Sequence, residues 1–408
     1  MYRCAAEIAF ERGFTELAGA RVAVIGNPTS LIRQEGGAGR LHLVDALRGA
    51  GVNVVRLFGP EHGMWATAQD MIGVENGVDP AFLLPVASLY GSDEESLKPN
   101  LAALDGVDAV VFDVQDVGAR YYTYAATLCM AIDVCAEAGV RVVVLDRANP
   151  LGGEVVEGGA IDDGFYSFVG WINIPQRHGL TVGEIACLHA EEAGRPRPHV
   201  IRCAGWETDK YLDELPEFAG LSAWTCPSPN MPTMQTAALY PGGCLIEGTT
   251  LSEGRGTTRP FELVGAPGLP PHAYAAKVQE LAGPGLIARP YVFEPTFQKH
   301  AGEVCGGAAL EIVDRKACSA VRAGLATIEA ARIVAPDVVE WRSEVYEFVA
   351  DRLAFDLLMG GVAARRALEA GHGIEAAMAG EADAVARFVV RARPHLLYPR
   401  SSGVFAAG

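Results

Sequence analysis

An α/β fold is predicted by three features of the sequence. Short β-branched runs alternate with helix-length amphipathic stretches, glycine and proline punctuate the joins, and polar clusters recur directly after the apolar runs. Near-continuous apolar strands separated by helices are what a parallel sheet covered on both faces requires, because each strand buries both its sides. The prediction is a Rossmann-like, doubly wound, mostly parallel sheet with a smaller C-terminal α+β domain, divided at residues 1–228 and 229–408.

The elements follow in order. Val22–Ile25 is a β-branched strand that runs into the Gly26-Asn27-Pro28 turn. Leu43, Val44 and Leu47 fall at helical spacing, and Gly49 and Gly51 stop that helix. Val52–Phe58 is a second strand ending at Gly59-Pro60-Glu61-His62-Gly63, and Pro85–Tyr90 a short third. Ala109–Val114 is a fourth, followed by polar Gln115, Asp116 and Arg120. A helix with Ala125, Leu128, Cys129 and Ile132 on one face ends at Gly139, and Val140–Leu145 is a fifth strand before Asp146-Arg147-Ala148-Asn149-Pro150. Thr181 and Glu184 have capping-box spacing and open a helix that turns Ile185 and Leu188 inward. The Pro-rich Cys226–Pro232 segment marks the domain boundary. Beyond it lie a Gly/Thr/Arg-rich loop from Glu247 to Arg259, two strands at Tyr291–Phe293 and Ala309–Val313, and an Ala-rich helical pattern that extends to the C-terminus, as in Ser319–Ile333.

Composition limits what such a protein can do. The chain has 408 residues, 50% hydrophobic and 20% charged, which is too long for one comfortable core and too apolar for disorder. Thirty-three Lys and Arg (33) against 50 Asp and Glu give a net charge of −17, a field that repels phosphate backbones and anionic lipid surfaces. Nucleic acid and membrane partners are therefore not expected. No apolar run reaches the roughly eighteen residues of a membrane span, and the start lacks a basic segment followed by a long apolar one. The 9 cysteines lack CxxC or zinc spacing and read as reduced, buried thiols. The expectation is an acidic cytoplasmic enzyme with a small-molecule partner, no cofactor and no metal, with self-association into a homo-oligomer left open.

The common cofactor motifs are missing. Gly36-Gly37-Ala38-Gly39 lacks the G-x-G-x-x-G register, and no acidic residue ends the second strand as an NAD ribose requires. Walker A, G-x-S-x-G and H-E-x-x-H sequences do not occur.

The polar clusters after the strands share the sheet edge where open α/β folds bind ligands. Glu61-His62, held between Gly59-Pro60 and Gly63, suits a general acid on a rigid turn, against the alternative of a solvated surface turn. Asp113 through Tyr124 packs acids, an amide, Arg120 and three tyrosines into one strand-to-helix turn. That mixture suits a sugar ring, which wants a planar apolar face and bidentate polar partners; the alternative is a helix start capped by Asp116 with tyrosines in the core. Asp146 with Arg147 and Asn149 reads as a local ion pair plus a turn, and a lone histidine such as His178 is ordinarily structural. Between Glu247 and Glu262, three carboxylates, Arg255 and Arg259 sit among glycines and threonines, as in a loop that wraps a polar ligand.

These clusters, in this order, resemble the exo-β-N-acetylmuramidases, a family long called a domain of unknown function. The matching segments are Gly26–Thr29, Phe58–Gly63, Phe112–Tyr124, Leu145–Gly153, Pro175–Gly179, Pro227–Thr233 and Glu247–Glu262, within a resemblance that spans residues 17–400. It implies release of a terminal, non-reducing N-acetylmuramic acid from peptidoglycan-derived sugars by a Rossmann-like catalytic domain with a C-terminal auxiliary domain that adds a site loop, and no nucleotide or metal. It implies Glu61 as the catalytic position. Glycoside hydrolysis needs an acid for the leaving oxygen and a second group at C1. Glu61 is the expected acid/base, His62 its tuning partner, and Asp116 or Glu247 the second group unless the substrate's 2-acetamido group serves. Muramic acid carries a lactyl carboxylate, for which Arg120, Arg255 and Arg259 are the expected clamp, a positive island in an acidic protein. Asn27, Asp113, Gln115, Tyr121, Tyr122, Arg147, Asn149, His178, Asn230 and Glu253 complete the expected substrate contacts. Met64–Asp70 departs from the more Gly/Arg-containing family pattern, so the resemblance does not carry over to subsites beyond the cleaved sugar. In the cytoplasm such an enzyme would act on imported muropeptide or disaccharide fragments. The rivals are a non-catalytic sugar-binding protein on the same scaffold and an amidase or esterase, the latter disfavoured by the absence of a nucleophilic Ser or Cys motif.

Overall fold

The computed structural model describes residues 1–34, 39–69, 71–218 and 224–406; of the glycine-rich stretch 36–39, only Gly39 is among them. Helix α1 (Ala5–Glu11) precedes β1 (Arg21–Gly26), which is buried along its whole length after Arg21, as a strand covered on both faces must be. A small hairpin, β2 (Leu31–Arg33) and β3 (Arg40–His42), leads into α2 (Leu43–Gly49). The main sheet is completed by β4 (Asn53–Gly59), β5 (Gly77–Val78), β6 (Pro85–Ser88), β7 (Ala109–Asp113), β8 (Arg141–Leu145) and β9 (His199–Ile201).

Its strand order is β5-β6-β4-β1-β7-β8-β9, parallel throughout except for the edge strand β5. Counted in chain order, the parallel strands run 3-2-1-4-5-6, the doubly wound arrangement that reverses direction between β1 and β7. The crossovers carry α3 (Tyr124–Ala138), ended by Gly139 at φ 69, and α4 (Val182–Glu192), whose Thr181–Glu184 capping box is formed. The fold class is the one the apolar runs predict. Strands β5 and β9 and helix α1 lie outside the predicted elements, the two strands being too short to show periodicity.

A second layer follows α5 (Met234–Gly243): β10 (Leu263–Ala266), α6 (Pro271–Leu281), β11 (Leu286–Phe293), β12 (Cys305–Ile312) and α7 (Ala320–Val334). These strands form an antiparallel sheet in the order β10-β12-β11. Helices α5 and α7 cross backbone to backbone at Gly242 and Gly324, where an added Cβ would lie 1.8 Å from Ala320 O and 2.0 Å from Gly242 O respectively. The helical pattern predicted for the C-terminal stretch breaks after α7. Only the short 336–338 turn interrupts an irregular segment until α8 (Ala354–Met359), α9 (Ala363–Glu369), α10 (Gly373–Ala377) and α11 (Glu381–Ala392).

The two layers are stitched at buried polar points. Glu157 of the first takes the Arg177 guanidinium at 2.7 Å and also accepts Ser319 Oγ at 2.7 Å and Val321 N at 3.2 Å, capping α7 from outside. Helix α11 returns to the first layer, where Phe388 and Val389 pack with Ala125, Ile185 and Leu188 of α3 and α4. The tail continues along that surface: Arg400 pairs with Glu184 at 2.7 Å, and Tyr398 Oη donates to Asp146 at 2.6 Å. Among the described residues all nine cysteines are free; Cys226 is exposed, against the expectation that all are buried, because it sits in the Pro-rich connector. No described helix is long and apolar enough to cross a membrane.

Burial pushes the Asp146 carboxyl up to about 6, against the donors Tyr398, Thr181 and Gly183 N–H that favour its charge. A carboxyl raised in the folded state costs stability as pH climbs from its ordinary 3.8 toward that value, and no more above it. Tyr398→Phe is therefore expected to lower unfolding free energy by about 1–3 kcal/mol, and by more at pH 7.5 than at pH 5, where Asp146 is largely protonated. Denaturant unfolding at the two pH values measures this.

Candidate active site

The turn that follows β4 projects Glu61 inward. Gly63 N donates to Pro60 O at 2.8 Å, and the left-handed conformations of His62 (φ 68) and Gly63 (φ 80) reverse the chain sharply. A non-glycine residue in that region is strained by its own Cβ, and such strain gathers at functional sites. Glu61 is 5% exposed. Thr123, the residue before α3, makes no side-chain cap for its own helix; its hydroxyl donates instead to Glu61 Oε2. His62 Nδ1 donates to Ala68 O at 3.0 Å, which fixes the tautomer and leaves Nε2 at 3.9 Å from Glu61 Oε1.

The second layer supplies the rest of a cleft, whose enclosed cavity is about 30 Å³. Glu247, in the turn after α5, accepts Tyr346 Oη at 2.7 Å and pairs with Arg255 at 2.9 Å. Arg255 reaches on to Glu253 at 2.8 Å, and Lys299 holds the other Glu253 oxygen at 2.9 Å. Burial alone would raise Glu253, but Lys299 and Arg255 outweigh it and hold its carboxyl well below the usual range, at about 2. Glu347, next to Tyr346, accepts Tyr90 Oη at 2.9 Å. It and Phe348 sit at φ 45 and φ 67, and cleft-lining Phe261 at φ 62, so the strain recurs around the pocket. Tyr122, Tyr240 and Phe261 form an edge-to-face aromatic wall, with centroids 5.6 and 4.9 Å apart, and Arg255 lies 4.8 Å over the Phe261 ring.

Of the residues predicted from sequence, the structure brings Glu61, His62, Tyr121, Tyr122, Asn230, Glu247 and Arg255 to this cleft, with Glu253 directly behind Arg255. Asn230 is set by Gln69, 2.9 Å away. The others lie outside it, Gln115 and Arg147 on a separate pocket. Asp116 closes its own turn onto Gly118 N at 2.6 Å, with His178 Nε2 at 3.5 Å, so neither reaches the cleft. Arg120 is no clamp: its guanidinium donates to the carbonyls of Gly159, Ile174 and Leu358, and burial pushes it down to about 10. Arg259 pairs with Glu262. Asn27 binds Pro227 O, and Asn149 binds Leu180 O. Asp113 and Arg147 pair at 2.6 Å, and Gln115 donates to Asp116 O and Ala148 O. The expected positive island is absent from the lining, which carries Glu61, Glu247 and Glu347 against Arg255. Among the described residues no cluster of three or more His, Cys, Asp or Glu is arranged to hold a metal ion.

Sequence reasoning missed Thr123, Ser228, Tyr240, Tyr346 and Glu347 as lining residues. The available signal for the last pair was one acid between Tyr346 and Phe348, close to Trp341, in a stretch without a clean helical stripe.

A doubly wound sheet whose loops place buried glutamates beside an aromatic wall, under a second layer, is the framework of a glycoside hydrolase here. The exo-beta-N-acetylmuramidase NamZ family models match residues 22–235 for the N-terminal domain and 238–398 for the C-terminal domain. The chain belongs to that family. It is 36% identical over 387 residues to the peptidoglycan beta-N-acetylmuramidase NamZ of Bacillus subtilis, covering 94% of this chain and 88% of that one. Two crystal structures of DUF1343 family proteins from Bacteroides fragilis share the fold. The first has a TM-score of 0.83 at 29% identity, covering 97% of this chain and 99% of the other. The second has 0.73 at 28% identity, covering 98% and 99%.

The Glu253 network gives a directional expectation. A carboxyl lowered in the folded state adds stability that is complete above its ordinary 4.5 and is lost as pH falls toward 2. Lys299→Met, which removes one of the two cations, is expected to cost about 1–3 kcal/mol and to move acid unfolding to higher pH, as followed by circular dichroism.

Proposed function

We propose that the protein is an exo-acting glycosidase that releases terminal non-reducing N-acetylmuramic acid from peptidoglycan-derived sugars, with Glu61 as general acid/base. The observation that carries this reading is the buried Glu61 carboxyl, held by Thr123 and flanked by His62 on a strained turn, in a cleft it shares with Glu247 and Glu347. Residues 1–228 supply the acid/base and 229–408 the loop that faces it.

The first step protonates the glycosidic oxygen from Glu61, and the reaction then needs negative charge near C1 as the oxocarbenium character grows. Glu247 is the candidate in this chain, oriented by Arg255 and Tyr346, with Glu347 a neighbour able to position the 2-acetamido group. Asp116 is replaced in that role because its carboxylate closes a turn outside the cleft. Tyr122, Tyr240 and Phe261 give the apolar face on which a sugar ring rests.

Hydrolysis of a chromogenic N-acetylmuramide beside the matching N-acetylglucosaminide tests the reading. Glu61→Gln is expected to lower kcat about 10²- to 10⁴-fold while the variant stays folded and still binds sugar in calorimetry. Near-normal turnover would remove Glu61 from the mechanism, and binding without release by the unmodified protein would make it a sugar-binding protein.

A further inference from the structure

An N-acetylmuramoyl substrate brings a carboxylate to a cleft whose lining already holds three glutamates and one arginine. Like charges a few ångströms apart in a poorly solvated pocket repel strongly, so such a substrate binds only where a cation can meet its lactyl group. The cations near the cleft are mostly committed. Arg255 is divided between Glu247 and Glu253. Lys299 serves Glu253 and the carbonyls of Ile246 and Leu251. Arg259 forks onto Glu262, and Arg120 is consumed by three carbonyls.

Arg342 differs from all of these. Its backbone N–H is anchored to Gly248 O at 2.9 Å, beside the Glu247 turn. Its guanidinium lies 5.3 Å over the ring of Tyr346, the cleft residue whose hydroxyl holds Glu247. The partners of that guanidinium are weak: the Met71 thioether at 3.5 Å, and Glu344, 74% exposed, at 3.7 Å. A thioether is a poor acceptor, and an exposed carboxylate at that distance contributes little. Contact with Met71 places the group where the segment before α8 meets the loop that follows Glu61, beside the ring of the cleft residue Tyr346.

We propose that Arg342 is the specificity-determining residue that receives the lactyl carboxylate of the substrate, in exchange for these weak partners. The proposal rests on the muramidase reading of the cleft. Stacking on Tyr346 pre-orients the planar fork, so a carboxylate can be gripped by two N–H donors at small entropic cost.

The test compares a chromogenic N-acetylmuramide with the same compound as its lactyl carboxamide, which keeps the shape and removes the charge. Arg342→Gln is expected to raise KM for the acid about 10- to 100-fold, the worth of one or two charge-assisted bonds. Its kcat should stay within about threefold and its KM for the amide within about twofold, and Arg342→Lys should recover part of the loss. Equal changes for acid and amide, or no change for either, would overturn the proposal. If the unmodified protein hydrolyses neither compound, the muramidase reading falls. Calorimetric titration of free N-acetylmuramic acid against its amide then decides the Arg342 contact alone, with a preference for the acid that Arg342→Gln abolishes supporting it and no preference overturning it.

Discussion

Burying carboxylates together in one cleft is the constraint that the surrounding structure serves. Glu61, Glu247, Glu253 and Glu347 are each 5% exposed or less, and a carboxylate taken from water unpaired would cost several kcal/mol. Each receives a specific donor: Thr123 for Glu61, Tyr346 and Arg255 for Glu247, Arg255 and Lys299 for Glu253, Tyr90 for Glu347. Those donors come from places far apart in the chain. Tyr90 follows β6, Thr123 opens α3, Lys299 precedes β12 and Tyr346 lies beyond α7. Of these donors only Tyr90 reaches across the layers, to Glu347; Thr123 shares the first layer with Glu61, and Arg255, Lys299 and Tyr346 share the second with Glu247 and Glu253. Each half of the cleft thus satisfies most of its own buried charge.

The doubly wound topology explains where the cleft is and where it is not. Such sheets offer a crevice where strand order reverses, here between the ends of β1 and β7. In this chain the charged groups there are paired with one another, Asp113 with Arg147 and Glu7 with Arg33, while Asn27 holds the Pro227 carbonyl, beside a separate pocket lined by Thr29, Gln115 and Arg147. Self-satisfied ion pairs are poor recognition groups, because a ligand must break one contact to make another. The candidate site lies instead at the end of β4, one strand away, where a tight turn carries Glu61.

This division sets how much was legible in the sequence. Strand runs such as Val22–Ile25 and Ala109–Val114, and the Thr181–Glu184 cap, depend on neighbours along the chain, so their periodicity and spacing reveal them. The turn carrying Glu61 and the loop carrying Glu247, Glu253 and Arg255 could be read for the same reason, since each concentrates its chemistry in a few consecutive residues. Arg120 could not be separated from Arg255 by pattern. Both are arginines in polar, glycine-bearing segments, and only the fold shows one facing carbonyls and the other glutamates. Glu347 was invisible for a complementary reason: its partner Tyr90 is 257 residues away, and nothing local marks a site.

The charge of the protein takes on a sharper meaning from this geometry. A net charge of −17 disfavours extended polyanions through the summed field of the surface, and the cleft lining, with three glutamates to one arginine, keeps the same sign at short range. Salt weakens the surface field over roughly 10 Å but weakens a closed cleft much less. On the proposed reading an anionic group on a bound sugar finds little compensation deep in the pocket, where Arg255 already holds Glu247 and Glu253. It finds compensation, on the same reading, beside the cleft at Arg342, whose guanidinium keeps weak partners. On that reading the arrangement selects a ligand by where its one charge sits as well as by its sign.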